Sequence, residues 1–404
     1  METPPTELPP GAIGPWIPLT VGVLNRCTME TPPTELLIDW LRLIRSPRIG
    51  PVIIAELITH LGSPEKLLTA SRSRLSTIPG IHPTLLKTLE TFRQEIPIPP
   101  IANELQRLHD LGGQMLMLGM PDYPPLLAAI HDPPPALFVI GHPQLLHHQT
   151  PITITGTRWA TPRGQGFARE LAKELTRTGI VVMSGLSRGI DAAAHLGAME
   201  TEGTTVAVLA TGLDVVHPRE HQALQQQIAR QGCLVSEAPL GLQPISWAFP
   251  PRARILSGLT RGVVIVEAPE KSGALLTARM ALEQGREVFA VPGAPNDSTR
   301  RGNLNLLRQG ARLVENAADI LEELHWNRPA PVVPSPLSTP PAGGFSGDAA
   351  TILTLIEAGT TQEDDLARCC QLTVTALSRI LLHLELSGLV QRAPGGHYLT
   401  TRPG

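Results

Sequence analysis

The chain has 404 residues, with 33 Lys plus Arg against 36 Asp plus Glu and a formal net charge of −3. That length allows roughly two to four domains, and an apolar content of 42% excludes wholesale disorder. A pI near 6.5 excludes a molecule basic all over, and 5 Trp, 2 Tyr and 6 Phe are too few for an extended base-stacking platform. The four cysteines, Cys27, Cys233, Cys369 and Cys370, include no C-x-x-C pair, and no His pair stands at zinc spacing. Neither a metal site nor a disulfide framework is therefore expected, and the cysteines fit a reducing compartment. No apolar run approaches the roughly 20 residues of a membrane span, and no basic-then-apolar leader opens the chain, so a cytoplasmic protein without membrane contact is expected.

The octapeptide Met1–Leu8 recurs identically at Met29–Leu36. It is short and Pro-rich, which reads as a local duplication or an upstream start, with residues 1–33 a flexible leader. Residues 34–95 predict short helices with glycine turns. Ile49-Gly50-Pro51 precedes Val52–Leu61, and Ile78-Pro79-Gly80-Ile81 precedes Pro83–Phe92. This is the pattern of a helix-hairpin-helix (SAM-like) domain, whose turn amides can approach a phosphate, or of a plain helical bundle with Gly at its turns.

An α/β core is expected over 96–326. Apolar runs at 151–155, 180–183, 205–209, 262–267 and 287–291 read as buried strands. They alternate with helical stretches at 166–177, 190–200, 219–231 and 274–283, which predicts a parallel sheet covered on both faces. In such a Rossmann-like core ligands sit beyond the carboxyl ends of the strands. Residues 327–347, rich in Pro and ending in Gly343-Gly344, read as a linker. Beyond it, helices at 349–357, 363–369 and 374–387 and two short strands turned by Pro394-Gly395-Gly396 describe a winged helix over 348–404. That module holds 4 basic and 6 acidic residues, a poor phosphate surface, so a protein contact or weak DNA binding is expected of it.

Three β-to-α turns carry the expected chemistry. They are Gly156-Thr157-Arg158, the run Ser184-Gly185-Leu186-Ser187-Arg188-Gly189, and Lys271-Ser272-Gly273. Each puts small residues at a helix start, where free amides and the dipole favour an anion, and two add an arginine able to fork onto a phosphate. A dinucleotide is not expected: G-x-G-x-x-G is missing after the first strand, and Met183-Ser184 closes the second where an acid would hold a ribose. No P-loop string occurs either. Gly185-Leu186-Ser187-Arg188-Gly189 matches the nucleophile elbow G-x-S-x-G, and Asp214 with His217 or His325 follows in triad order. No His-Gly-Gly oxyanion string precedes it, so Ser187 reads as a small residue in a glycine turn. His195 reads as structural, with a general base as the alternative. Asp191 reads as a helix cap that also orients Arg188. Phe249-Pro-Pro-Arg252-Ala-Arg254 suits a phosphate backbone with one stacked base, or is an ordinary charged loop before a helix at 255–259. Residues 156–262 hold 11 basic and 8 acidic side chains, so positive charge concentrates around these turns, and binding should weaken with salt.

The run G-T-R…S-G-L-S-R-G-I-D-A-A-A-H…G-L-D…S-E-A-P…F-P-P-R-A-R-I-L-S-G-L…V-E-A…S-G-A-L-L-T-A…A-V-P-G resembles the DNA-processing protein family, DprA or Smf, over about 120–324. The resemblance implies an extended Rossmann-like core with flanking helix-hairpin-helix and winged-helix domains. It further implies a non-enzymatic, cofactor-free, homodimeric protein that binds single-stranded DNA, protects it and loads RecA recombinase during natural transformation. Carried over, the DNA-binding residues are Gly156, Arg158, Ser184, Gly185, Ser187, Arg188, Gly189, Arg252 and Arg254. Two departures stand out. Arg252-Ala253-Arg254 replaces the family's R-N-R, and Ser187 replaces the Ala of G-L-A-R-G. The LOG-type nucleotide phosphoribohydrolases are the enzymatic alternative; their P-G-G-x-G-T-x-x-E is absent, the nearest string being Val291-Pro292-Gly293-Ala294.

Overall fold

In the computed structural model the described residues are 32–326, apart from 48 and 202, and 347–400, apart from 360–361, 371, 387–388 and 394–396. The leader (up to residue 31), nearly all of the Pro-rich linker and the Pro394–Gly396 turn lie outside them. The chain divides into two compact units, residues 1–327 and 328–404. No helix among the described residues is long and apolar enough to cross a membrane.

Six helices open the first unit: α1 (Thr34–Ile44), α2 (Pro51–Leu61), α3 (Pro64–Leu68), α4 (Arg72–Leu75), α5 (Pro83–Glu95) and α6 (Ile98–Asp110). Both expected glycine-turn helices form. Pro51 opens α2, where a missing amide costs nothing, and Gly62 closes it at φ +91°. These helices do not stand apart from the core. Trp40 of α1 is fully buried, its Nε1 donates to Pro135 O at 2.9 Å, and its cluster continues into Leu137 and Phe138 of the sheet. The expected boundary near residue 95 therefore divides the sequence but not the packing.

The sheet has nine strands: β1 (Gly113–Met117), β2 (Ala136–Gly141), β3 (Pro151–Thr155), β4 (Val181–Ser184), β5 (Thr205–Leu209), β6 (Cys233–Ser236), β7 (Gly262–Ile265), β8 (Glu287–Ala290) and β9 (Arg312–Leu313). Their order is β1-β2-β6-β5-β4-β3-β7-β8-β9. β3 to β9 pair in parallel, while β1 and β2 add an antiparallel margin beside β6. The strands expected from the five apolar runs all pair in parallel, and β1 and β2 are an addition that the alternation did not indicate. Between the strands lie α7 (Pro125–Ala128), α8 (Pro162–Arg177), α9 (Ile190–Met199), α10 (Gln222–Gln231), α11 (Phe249–Gly258), α12 (Ala274–Glu283), α13 (Arg301–Arg308) and α14 (Ala317–Glu323). The strands β3 to β7 are buried along their whole length, as Val- and Ile-rich strands covered on both faces must be.

Two core helices begin four or more residues earlier than expected, both because proline is welcome in a first turn. Thr161 caps α8, its Oγ1 accepting from Gly164 N at 3.0 Å, with Pro162 next. α11 starts at Phe249, so Phe249–Arg254 is helix rather than loop. From β3 the chain winds to β4, β5 and β6 on one side, then returns to lay β7 on the other. The winding reverses between β3 and β7, which brings the turns following β3, β4 and β7 to neighbouring positions on one sheet edge.

The second unit consists of α15 (Gly347–Glu357), α16 (Glu363–Cys370), α17 (Val374–Leu386) and the antiparallel pair β10 (Val390–Ala393) and β11 (His397–Thr400). Ile352, Leu366, Leu377, Leu381, Val390 and Tyr398 give it a core of its own. Three helices and a hairpin make the expected winged helix.

Candidate nucleic-acid interface

The turns after β3, β4 and β7 are pressed together backbone against backbone. Thr157 N donates to Glu267 O at 2.7 Å, and Ile190 N donates to Thr157 O at 3.4 Å. A side chain at Gly156 would lie 2.6 Å from Ile190 Cγ1 and 2.8 Å from Glu267 O. Gly189 sits at φ +73°, and a β-carbon there would strike the Thr157 carbonyl. These glycines are required because two main chains share the space.

Arg252 of α11 threads beneath the second turn. A β-carbon at Gly185 would land on its Nη1, so only glycine leaves room for the guanidinium. Asp191, first turn of α9, fixes the arrangement. Its Oδ1 accepts from Thr155 Oγ1 at 2.8 Å, and its Oδ2 accepts from Ser187 N at 3.2 Å and stands 3.8 Å from Arg252 Nη1. Asp191 thus stands in the first turn of α9 as an acid matched to the helix dipole, but it makes no capping hydrogen bond within the helix, and it orients Arg252 and not Arg188. Arg188 instead pairs with Glu220, its charge stabilised by that contact, which holds the Glu220 carboxyl down at about 2.

The Arg252 side chain is 12% exposed, and its Nε and Nη1 have no hydrogen-bond partner among the described residues. Burial lowers its pKa from the ordinary arginine range; Asp191 opposes this and Arg158 adds to it. Arg158 is exposed, with its Cζ 4.6 Å from the Phe249 ring centroid; the Arg252 Cζ is 6.0 Å from the same centroid. Two arginines therefore converge on one ring at the mouth of two amide-rich turns. One of them is desolvated with donors to spare, a state that an incoming phosphate oxygen would relieve.

Other expected residues are placed differently. Arg254 is buried and fully committed: Nη1 and Nη2 fork onto Glu237 at 2.8 and 2.9 Å, and Nε donates to Asp132 at 3.0 Å. Burial works against its charge, but Glu237 and Asp132 outweigh that and raise its pKa. It ties α11 to Glu237 just after β6 and to Asp132 just before β2, so the structure gives Arg254 structural partners and does not turn it toward Arg158 and Arg252 as the sequence reading expected. Ser184 is likewise spent, its buried Oγ donating to Ile154 O at 2.6 Å. Lys271, Ser272 and Gly273 sit on the neighbouring turn after β7. No hydrogen bond or ion pair among the described residues joins them to the arginine pair, and Ser272 Oγ accepts locally from Ala274 N at 3.3 Å.

The elbow reading finds no assembled triad. Asp214 is held by Arg107 and accepts from Gly241 N at 2.7 Å, and no histidine ring among the described residues bonds Ser187 Oγ. His195 is fully buried, with Nδ1 donating to Thr205 Oγ1 at 2.8 Å while Thr205 donates to Val182 O. Burial pushes its pKa down to about 4, so it is a neutral interior group, away from any solvent-borne substrate. The Val291–Ala294 string is occupied by Arg300, whose Nη1 donates to Pro292 O at 2.7 Å.

Sequence reading missed Glu267. Buried at the end of the β7 run, it accepts from Thr161 N at 2.8 Å, Thr161 Oγ1 at 2.6 Å and Arg300 Nη2 at 3.2 Å. It thereby pins the start of α8 across the switch point. An acid closing an apolar strand was the available signal.

Comparison with known proteins agrees with this architecture. A family model described as DNA recombination-mediator protein A matches residues 114–325, a DprA winged helix domain matches 333–396, and a DprA-like N-terminal HHH domain matches 35–70. Protein Smf of Synechocystis sp. is 31% identical over 393 residues, 89% of this chain and 97% of that protein. DNA processing protein DprA of Bacillus subtilis is 42% identical over 226 residues, 56% of this chain and 76% of that protein. The solved structure of DNA processing protein A from Streptococcus pneumoniae matches with a TM-score of 0.63 at 30% identity, covering 71% of this chain and 97% of that one. With helix-hairpin-helix, core and winged helix all matched in order, the chain belongs to the DprA/Smf family of DNA recombination mediators.

Proposed function

We propose that this protein binds single-stranded DNA through phosphates seated on the turns after β3 and β4, protects the strand and delivers it to RecA recombinase as a cytoplasmic homodimer without catalysing a reaction. The observation that carries the DNA-binding part is Arg252: largely buried, with two donor atoms that make no hydrogen bond among the described residues, beside the exposed Arg158. Phosphate contacts hold a strand without reading its sequence, so affinity should be high, sequence-tolerant and salt-dependent. Delivery to RecA and natural transformation rest on family membership, and the winged helix is proposed as a protein contact or weak DNA contact.

Anisotropy of a labelled poly-dT strand titrated with the full chain over a salt series, against a matched duplex competitor, tests the reading. Strand-preferring binding that falls with salt supports it, and RecA filament assembly on the same strand is the assay for delivery. Absence of binding at low salt would overturn it.

A further inference from the structure

Tryptophan is scarce in this chain, five in 404 residues, and its placement is uneven. Trp40 is fully buried and Trp326 packs partly buried on the second core cluster. Trp159 and Trp247 are 83% and 67% exposed. They are the only aromatic side chains among the exposed large hydrophobic residues described, the others being Ile and Leu scattered over helices, one helix end and two strands.

Both tryptophans are rooted beside one contact. Trp159 follows Arg158 directly, and Trp247 stands two residues before Phe249, the ring on which the Arg158 guanidinium rests at 4.6 Å. Consecutive α-carbons are about 3.8 Å apart, so each indole is rooted within one or two residues of the arginine–ring contact. The backbone beneath them is fixed: Trp159 N donates to Thr157 Oγ1 at 3.2 Å, and Trp247 occupies a one-turn helix, Ser246–Ala248, closed by Ala248 N donating to Ile245 O at 3.1 Å. Two large apolar faces held open to water beside cationic groups need a partner that brings both negative charge and flat apolar surface. Nucleic acid with unpaired bases has both, and a duplex hides its base faces in its own stack.

We infer that Trp159 and Trp247 are base-stacking residues flanking the phosphate site, which take two unstacked bases of a single strand and set the preference for strand over duplex. The inference rests on the single-strand reading above and adds the base contact. Stacking is indifferent to base identity, because every base has a π-face, so sequence tolerance is retained.

The test uses the full chain and two probes of equal length and charge, a dT strand and an abasic strand. Wild type should bind dT more tightly, with its tryptophan emission quenched by dT and not by the abasic strand. Trp159→Ala and Trp247→Ala should each weaken dT binding roughly tenfold while leaving abasic binding and the salt slope unchanged. Trp159→Phe and Trp247→Phe should recover part of the loss, which separates stacking from a folding defect. Equal wild-type affinity for the two probes would overturn the stacking role and leave the phosphate reading standing. Alanine variants that keep full dT affinity, or lose affinity for both probes alike, would overturn it too. Failure of wild type to bind either probe would overturn the single-strand reading itself.

Discussion

The position of Gly185 offers a way to displace Arg252, the proposed phosphate ligand, without substituting it. A β-carbon there would lie 2.6 Å from Arg252 Cζ and 2.8 Å from Asp191 Oδ2, with Arg252 Nη1 closer still. Gly185 is not among the residues with positive φ, so alanine is compatible with its backbone. In Gly185→Ala the mobile part is the tip of a long side chain, so the guanidinium swings away and the stability cost stays near the low end of overpacking, about 1 kcal/mol. The binding cost is larger. Charge-assisted hydrogen bonds are worth about 1.5–3 kcal/mol, so displacing Arg252 should raise Kd for a dT strand roughly ten- to a hundredfold. Arg252→Met should produce a similar loss, and adding Gly185→Ala to Arg252→Met should cost almost nothing more, because the clash partner is gone. Anisotropy at matched salt on the four proteins closes the cycle. Wild-type affinity in Gly185→Ala, or two penalties that simply add, would refute the placement of Arg252 as a phosphate ligand.

Three further outcomes are expected. Glu220→Gln frees Arg188 and should tighten strand binding a few-fold, whereas Arg188→Ala should weaken it and lower the salt slope by about one contact; unchanged salt slopes would remove Arg188 from the site. Arg254→Met leaves Glu237 and Asp132 without their partner and should cost about 3 kcal/mol in denaturant unfolding, the low end for a broken buried pair because both acids are partly exposed, with strand affinity intact below the transition. His195, held near 4, stays neutral in the fold while the unfolded chain protonates near 6.5. Stability should therefore fall as pH drops from about 6.5 to 4, by about 3 kcal/mol in all, and His195→Gln should flatten that window in a pH series of chemical denaturation.

The parts of the site that lie close in sequence were legible. Glycine-rich turns after apolar strands announce themselves, and the turns at 156 and 185 do meet at the switch point. What failed was local geometry at Phe249–Arg254. Read as a loop, two arginines two apart can face one ligand; in a helix, positions i and i+2 point to different sides. One therefore turns toward Gly185 and Asp191, and the other toward Glu237 and Asp132. The partner of Arg188 was equally out of reach, since Glu220 lies 32 residues away and meets it only through the fold. Strands β1 and β2 escaped because only the one-turn α7 separates them, too short to show a helical period; they pair as an antiparallel margin across a stretch broken by Pro and Gly. Trp159 and Trp247 carry no sign of exposure in sequence, where an indole more often means core.

The burial of Trp40 against Pro135 has a consequence for how the molecule melts. Helices and sheet that share one apolar cluster cannot lose it piecemeal, so residues 34–326 should unfold in a single calorimetric event whose enthalpy scales with the whole segment. A fragment cut after Glu95 would begin with the face of β2 bare, and its insolubility would report missing cover for the sheet, not a lost activity.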